Sequence, residues 1–151
     1  MSNLINSDMR VGFTGTHKGM TTEQEVTVTN LFAFRPAEFH HGDCIGCDTE
    51  AHALAFLAGI RIIGHPPDNP KSRSFCTFDE IREEKPYLER NHDIVDETDI
   101  LIACPEGTKE VMRSGTWATV RYAEKVGKTI LLIYPSGRIF KCSPGFGRRS
   151  Q

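Results

Sequence analysis

Apolar and polar positions along the chain form two alternating patterns. Residues 99–104 and 129–134 are almost uninterrupted apolar runs, which are typical of strands covered on both faces and so of the centre of a parallel sheet. Shorter apolar runs predict three further strands, at 10–14, 38–41 and 61–65. The pattern therefore predicts a sheet of five strands, which a short extra strand in the tail after Ser136 would enlarge.

Four helical patterns lie between these strands, at about 22–34, 48–59, 86–97 and 116–126. Thr21 and Gln24 have the spacing of a capping box, and Asp48 and Thr116 are candidate N-caps of later helices. The polar segment 68–85 predicts a long loop with one helical turn. Strands that alternate with helices predict an α/β fold, a Rossmann-like three-layer sandwich with a mainly parallel sheet of five strands or slightly more.

Length and composition fit a single domain over 1–151, with its core at about 10–135 and a short C-terminal tail. Of the 151 residues, 38% are hydrophobic and 25% are charged, and a domain of this size buries a core without disulfides. The formal net charge of −2 argues against a protein that binds nucleic-acid phosphates. The basic residues of the tail are too few to reverse that charge: Arg138, Lys141, Arg148 and Arg149.

The chain lacks the signals of a membrane or secreted protein. No apolar run approaches the roughly 18 residues of a membrane span, and the polar start does not have the plan of a secretion signal. The five cysteines are an odd number, which favours reduced thiols. We therefore expect a cytoplasmic protein whose partner is a small molecule or another protein.

The loops that follow the predicted strands are the candidate binding region, because ligands of an open parallel sheet bind at the carboxyl ends of its strands. Three loops, 15–21, 42–48 and 105–116, lead into helix N-termini, which favour a phosphate or a carboxylate. Alternatively, their glycines only permit tight turns, and none of the loops is a P-loop or a dinucleotide motif. The candidate ligand-binding residues here are Gly15, Thr16, His17, Lys18, Gly42, Asp43, Gly46, Asp48, Ser114, Gly115 and Thr116.

A motif at 42–52 resembles a known family. Its sequence, Gly-Asp-Cys-Ile-Gly-Cys-Asp-Thr-Glu-Ala-His, resembles the Gly-x-x-x-Gly-x-Asp-x-x-Ala-His signature of the DNA-processing protein A (Smf) family. The second half of the chain is similar in order to the Lonely-guy (LOG) phosphoribohydrolases, through Arg90, the run 99–103, Pro105 and the turn 114–117. These families share a Rossmann-like domain and form the SLOG superfamily. The resemblance covers about 10–134.

This resemblance implies a nucleotide pocket lined by Gly15, Thr16, 42–48 and 115–119. Lonely-guy enzymes use an arginine and a glutamate to cleave the bond between a base and ribose 5′-phosphate, and Arg90 matches that arginine. Thr119 occupies the position of the glutamate, and Pro105-Glu106-Gly107 replaces the family's Pro-Gly-Gly. Because the cleavage needs a carboxylate, Glu106 joins Arg90 as a candidate catalytic residue, and Thr119 joins the candidate ligand contacts.

Three functions follow from these observations. We expect the protein to bind a nucleotide or a nucleotide-derived small molecule at the strand ends, as a sensor or a sequestering protein, since the family's glutamate is missing. The alternative is a phosphoribohydrolase-like N-glycosidase that acts on nucleoside 5′-monophosphates. A second alternative is a DNA-processing or single-stranded-DNA-binding module, although the acidic charge argues against a nucleic-acid partner. We expect a homo-oligomer with no cofactor and no membrane partner.

Some candidate residues also have structural interpretations. Asp48 contacts the ligand or only caps its helix, and Thr116 has the same two alternatives. Arg90 holds a phosphate, or forms an ion pair with Asp93 three residues on. Trp117 is expected to pack on a neighbouring helix or on a second subunit rather than on a base.

Cys44 and Cys47 form a Cys-x-x-Cys close in sequence to His40, His41 and His52. The alternatives to a structural role for this set are a zinc site and a redox pair. No second Cys-x-x-Cys is available to complete a four-ligand site. We therefore predict that these cysteines are small structural residues and that the chain has no metal site.

Overall fold

The computed structural model describes residues 4–144, which form one mostly parallel sheet covered by helices. The order of its strands is β4-β3-β2-β1-β5-β6-β7, and β7 alone among these is antiparallel to its neighbour. The strands are β1 (Arg10–Gly15), β2 (Glu38–His41), β3 (Arg61–Gly64), β4 (Glu80–Ile81), β5 (Ile100–Cys104), β6 (Thr129–Ile133) and β7 (Ile139–Cys142).

The helices form two pairs, one on each face of the sheet. Helices α1 (Thr22–Phe32) and α2 (Cys47–Leu57) pack together, as do α3 (Tyr87–Asp96) and α4 (Gly115–Lys125). A short 3-10 turn at Pro70–Ser72 lies in the long loop between β3 and β4. The predicted three-layer α/β fold is therefore confirmed.

Strand β5 shows why the central apolar runs are uninterrupted. Ile100, Ile102 and Cys104 pack in the core under α1 and α2, whereas Leu101 and Ala103 pack in the core under α3 and α4. Because successive side chains of a strand point to opposite faces, a strand covered on both faces needs an apolar residue at every position. All five residues of β5 are buried.

The sheet is larger than the five strands that the apolar runs define. The extra strand predicted in the tail is β7, which pairs with β6. The two-residue strand β4 lies inside the segment predicted as a loop, and both of its residues are exposed. Its sequence carries no strand pattern because neither residue packs in a core.

Two predicted helix caps are wrong. Gly46, not Asp48, is the N-cap of α2, and Asp48 lies in its first turn. Ser114, not Thr116, caps α4, where its hydroxyl accepts from the N–H of Trp117. Helix α1 ends at Phe32, four residues before Pro36.

The direction of the chain across the sheet reverses between β1 and β5. Strand β1 pairs with β2 on one side and with β5 on the other, from Val11 opposite Ile100 to Gly15 opposite Cys104. In doubly wound sheets this switch point is where the strand-end loops separate and leave a crevice for a ligand.

Within residues 4–144, no helix has the length and apolar character needed to cross a bilayer. Arg148 and Arg149 of the basic tail lie outside the described residues.

Candidate functional site

A cavity of about 590 Å³ opens at the carboxyl ends of β1 and β5, at the switch point. Its volume lies within the range of small-molecule sites in proteins. Of the residues predicted to bind a ligand or act in catalysis, those that line it are Gly15, Thr16, His17, Asp48, Glu106, Ser114, Gly115 and Thr116.

The N-terminus of α4 forms one wall of this cavity. Ser114, Gly115 and Thr116 all line it, and the Ser114 hydroxyl accepts from the N–H of Trp117 at 3.3 Å. The N–H groups of Gly115 and Thr116 belong to the first turn of the helix, where no acceptor exists within the helix itself. This wall therefore presents donors and the positive end of a helix dipole to a bound anion.

The other two predicted anion sites are closed by the chain's own side chains. Thr21 and Gln24 form the predicted capping box of α1, so the hydroxyl of Thr21 accepts from the N–H of Gln24 at 3.0 Å. At α2, the Asp48 carboxylate lies at the helix N-terminus and accepts from the N–H of Cys44 at 3.1 Å. Of the three predicted anion sites, the N-terminus of α4 is therefore the one that is open to a bound anion.

Asp48 is an acidic residue with little access to water. It is 8% exposed and lines the cavity. Burial raises the pKa of this carboxyl to about 6, although Arg90 and the N–H groups of Cys44 and Gly42 favour its charged form. The Asp48 carboxyl therefore gains or loses its proton near pH 6, within the physiological range.

Arg90 lies behind the cavity wall rather than in the cavity. It is 2% exposed, and its guanidinium donates to the carbonyls of Gly42 and His65 and to the Cys44 sulfur, the last at 3.2 Å. It also stacks on the ring of Tyr87, 4.7 Å from the ring centre. The predicted ion pair with Asp93 is wrong, since Lys85 binds Asp93 at 2.7 Å.

The remaining predicted contacts also do not line the cavity, because other groups engage them. Asp43 is fully buried and accepts from Arg73 Nε at 2.8 Å and from the N–H of Cys76 at 2.9 Å. Thr119 donates its hydroxyl to the Gly115 carbonyl at 2.8 Å. The Lys18 ammonium pairs with Glu106 at 2.7 Å, and its side chain is 62% exposed.

Two glycines permit close approaches around the site: Gly46 lies against the loop after β1, and Gly42 lies against the Arg90 side chain. Gly46 has a φ of +112°, and a Cβ there would lie 2.3 Å from the carbonyl oxygen of His17. A Cβ on Gly42 would overlap the Arg90 guanidinium. Both positions therefore require glycine for reasons of packing, although neither residue lines the cavity.

The arrangement does not bring the two candidate catalytic residues together. Glu106 is at the rim, where it pairs with Lys18 at 2.7 Å and remains 58% exposed. Arg90 is engaged by backbone carbonyls on the other side of the wall. The two side chains therefore do not converge on one position in the cavity.

Several cavity residues were not predicted as contacts. Tyr87, the first residue of α3, brings an aromatic ring to the wall, and Arg113 brings a positive charge. Trp117 is 3% exposed within its own chain, so the predicted packing on a neighbouring element holds, and its ring is not free to contact a second subunit. The sequence predicts that a helix begins near Pro86, but it contains no signal that places Tyr87 at the cavity. The others are Ser72, Gly107 and Val111, whereas Cys44, Ile45 and Trp117 fall within the ranges 42–48 and 115–119 that the family resemblance implied.

The Cys-x-x-Cys pair is reduced and poorly suited to thiolate chemistry. Cys44 and Cys47 are both free cysteines, and burial raises the pKa of both thiols. Neither belongs to a cluster of metal-ligating side chains within residues 4–144. Their surroundings are those of small structural residues.

Solved structures identify the fold. A structural-genomics protein, TM1055, is 14% identical with a TM-score of 0.63, over 85% of this chain and 75% of that one. The molybdenum cofactor binding protein from Rippkaea orientalis is 24% identical with a TM-score of 0.65, over 83% and 76%. DNA processing protein A from Streptococcus pneumoniae is 19% identical with a TM-score of 0.63, over 83% and 50%. No family model matches the chain, and neither does any curated protein sequence.

The fold and the cavity define a class of protein: a Rossmann-like domain with a small-molecule-sized crevice at its switch point. Within that class, the chain has the fold of these three proteins, and one of them, DNA processing protein A, carries the name of the family that the motif at 42–52 resembles.

Proposed function

We propose that the protein binds a phosphorylated nucleotide or nucleotide-derived small molecule in the switch-point cavity, as a sensor or a sequestering protein. The observation that carries the proposal is the N-terminus of α4, where Gly115 and Thr116 line a cavity of about 590 Å³. A phosphate placed there would meet unpaired N–H donors and the positive end of the helix dipole.

The rest of the wall suits the other parts of such a ligand. Tyr87 is 48% exposed and offers aromatic surface to a base, and Ile45 and Val111 offer apolar surface. Arg113 is exposed and lines the same cavity, so its guanidinium is available for a charge-assisted hydrogen bond to a phosphate. A mostly apolar wall with a few polar groups is typical of small-molecule sites.

The fold supports a small-molecule ligand in a second way. One structural neighbour is described as a molybdenum cofactor binding protein, so this architecture accommodates a cofactor in that protein. We favour binding over N-glycosidic hydrolysis because Arg90 faces backbone carbonyls and Glu106 pairs with Lys18. Neither residue is placed to assist a leaving base.

The proposal includes assembly into a homo-oligomer in the cytoplasm. The assembly is supported by two apolar residues at the end of α2: Phe56 is 72% exposed and Leu57 is 81% exposed. Exposed apolar patches are typical of surfaces that contact another protein.

Calorimetric titration with nucleoside mono-, di- and triphosphates and cyclic nucleotides tests the proposed function. We expect one of these to bind at one site per chain, and Arg113→Gln to weaken that binding by about tenfold, the value of a charge-assisted hydrogen bond. Arg138→Gln is the matched control, because it removes the same charge from an exposed arginine outside the cavity.

Two results would contradict the proposal. One is the absence of heat across the whole panel at millimolar ligand. The other is an equal loss of affinity in both variants, which would show that the phosphate responds to net charge rather than to this cavity.

A further inference from the structure

A cluster of two histidines and a glutamate lies apart from the cavity. His40 belongs to β2, His65 follows β3, and Glu97 caps the C-terminus of α3. His40 and His65 are each 1% exposed. Their ring atoms and the Glu97 carboxylate lie close enough together to hold one metal ion, and none of the three lines the cavity.

The distances between the three ligand atoms suit a small divalent ion. His40 Nδ1 lies 2.8 Å from His65 Nε2, and each of these nitrogens lies 3.9 Å from Glu97 Oε1. Tetrahedral zinc with bonds of about 2.0–2.1 Å separates its ligand atoms by roughly 3.4 Å. Small movements of the side chains would therefore bring all three atoms to bonding distance of one ion.

The surroundings of His40 are those of a metal ligand. Its Nε2 lies 2.9 Å from Glu38 Oε1, so the carboxylate holds the ring proton on Nε2 and leaves Nδ1 as a lone pair facing the cluster. A carboxylate behind a ligating histidine is the usual second partner in metal sites.

A metal ion at His65 Nε2 would displace the proton from that nitrogen. The other ring nitrogen, Nδ1, can accept this proton. His65 Nε2 now faces His40, and its Nδ1 is buried without a hydrogen-bond partner among the described residues. Binding of an ion at Nε2 requires the proton to move to Nδ1, a change of tautomer that leaves the charge of the ring unchanged.

A second cluster, formed by His41, His52 and Cys76, lacks these properties. The N–H of Asp43 donates to His41 Nδ1 at 3.0 Å, so the ring proton lies on Nε2, which faces His52 at 2.9 Å. A metal at His41 Nε2 would have to displace that proton while Nδ1 remains occupied. The first cluster is the better site for this reason.

We propose that His40, His65 and Glu97 form a site for a divalent transition-metal ion of the zinc type, with Glu38 as the outer partner of His40. Three protein ligands leave one tetrahedral position open for water. The nitrogen and carboxylate donors are ligands that zinc accepts. This site departs from the expectation from sequence that the chain binds no metal, and it stands independently of the nucleotide cavity.

Arg82 competes with the ion for Glu97 and supplies the sharpest test. Its Nε and Nη2 both lie 3.0 Å from Glu97 Oε1. The Arg82 side chain is 36% exposed, so Arg82→Gln is expected to fold. Removal of this charge frees the carboxylate, and we expect Zn²⁺ to bind several-fold more tightly to Arg82→Gln than to the original chain.

The experiment is a titration of the full chain with Zn²⁺ under reducing conditions, followed by Co²⁺ spectroscopy. We expect one Zn²⁺ per chain, a rise in melting temperature with Zn²⁺, and Co²⁺ absorption without a thiolate charge-transfer band. Glu97→Gln should weaken binding more than tenfold, and Glu38→Gln by about 10- to 100-fold, as for outer-shell partners in other sites. Cys76→Ser is the control and should bind as the original chain does.

Three outcomes would overturn the proposal. These are the absence of a stoichiometric site, an affinity unchanged by Glu97→Gln, and a loss in Cys76→Ser equal to that in Glu97→Gln. Because Arg82→Gln is expected to gain affinity, a loss in that variant would also count against the site. None of these results bears on nucleotide binding.

Discussion

Single residues in this protein show how burial changes the role of a charged side chain. Arg90 matches a family position by sequence, yet the structure surrounds it with the carbonyls of Gly42 and His65 and the Cys44 sulfur. Asp48 belongs to the motif at 42–52, yet its carboxylate accepts from the N–H of Cys44 in the loop before α2. In both cases, the side chain that resembles a family position makes its hydrogen bonds with the loops around it.

The burial of Arg90 gives a prediction on stability. Arg90→Ala should lower the free energy of unfolding by about 3 kcal/mol, because it leaves buried carbonyls unpaired and opens a cavity. Urea denaturation measures this loss. Arg121→Ala is the matched control, since its half-exposed ion pair with Glu110 should contribute less than about 1 kcal/mol. Equal losses in the two variants would show that the Arg90 contacts do not stabilise the fold.

Asp48 gives a prediction on pH. Its folded pKa of about 6 is above the ordinary value of 3.8, so the folded state binds the proton more tightly than the unfolded state does. The contribution of Asp48 to stability is therefore most favourable below pH 4 and is lost as pH rises through 6.

The measurement compares the original chain with Asp48→Asn, which has no proton to exchange. As the pH falls from 7 to 4, the stability of the original chain should rise relative to that of Asp48→Asn by about 2.4 kcal/mol, the part of the full linkage value of about 3 kcal/mol that falls between these two pH values. Urea denaturation across this range gives the difference at each pH. A constant difference would mean that the folded pKa of Asp48 is not raised.

Among the helices and strands, those with buried side chains could be predicted from the sequence. Arrangements that depend on contacts between residues far apart in the sequence could not. The runs at 99–104 and 129–134 predicted central strands because both of their faces are buried. Strand β4 could not be predicted, since neither of its residues is buried. The α4 wall was found from Ser114-Gly115-Thr116, whereas Tyr87 reaches the cavity through its contact with Arg90, which sequence spacing does not show.

The junction between the first two strand-end loops gives a prediction at this scale. Gly46→Ala should cost about 3 kcal/mol or more, because it combines a positive φ with a contact of 2.3 Å to the backbone of His17. Gly127→Ala is the matched control: its φ is +80° but no atom lies within 4 Å of the added Cβ, so it should cost about 1 kcal/mol. Chemical denaturation of both variants separates the free-energy cost of the contact with His17 from the cost of the positive φ. Similar costs in the two variants would show that the two loops are not held together at Gly46.

At the scale of the whole molecule, the two cores are joined by the central strands. Strand β5 contributes to both cores, through Ile100 and Ile102 on one face and Leu101 and Ala103 on the other. Strand β6 does the same through Leu131 and Leu132. Because neither core can open without exposing the other face of these strands, we expect the domain to unfold as one cooperative unit.

Amide hydrogen exchange tests this coupling. The N–H groups of β5 and β6 should exchange only through global unfolding, with the same free energy as that from urea denaturation, since both strands are central and buried. Those of β4 should exchange through local opening, because β4 is a short, exposed edge strand.

Leu101→Ala and Ile102→Ala, which remove side chains from opposite cores, should each lower protection along the whole of β5. If each variant instead lowered protection on one face of the sheet alone, the two cores would be separate units, and a ligand at the switch point would stabilise only the half that it contacts.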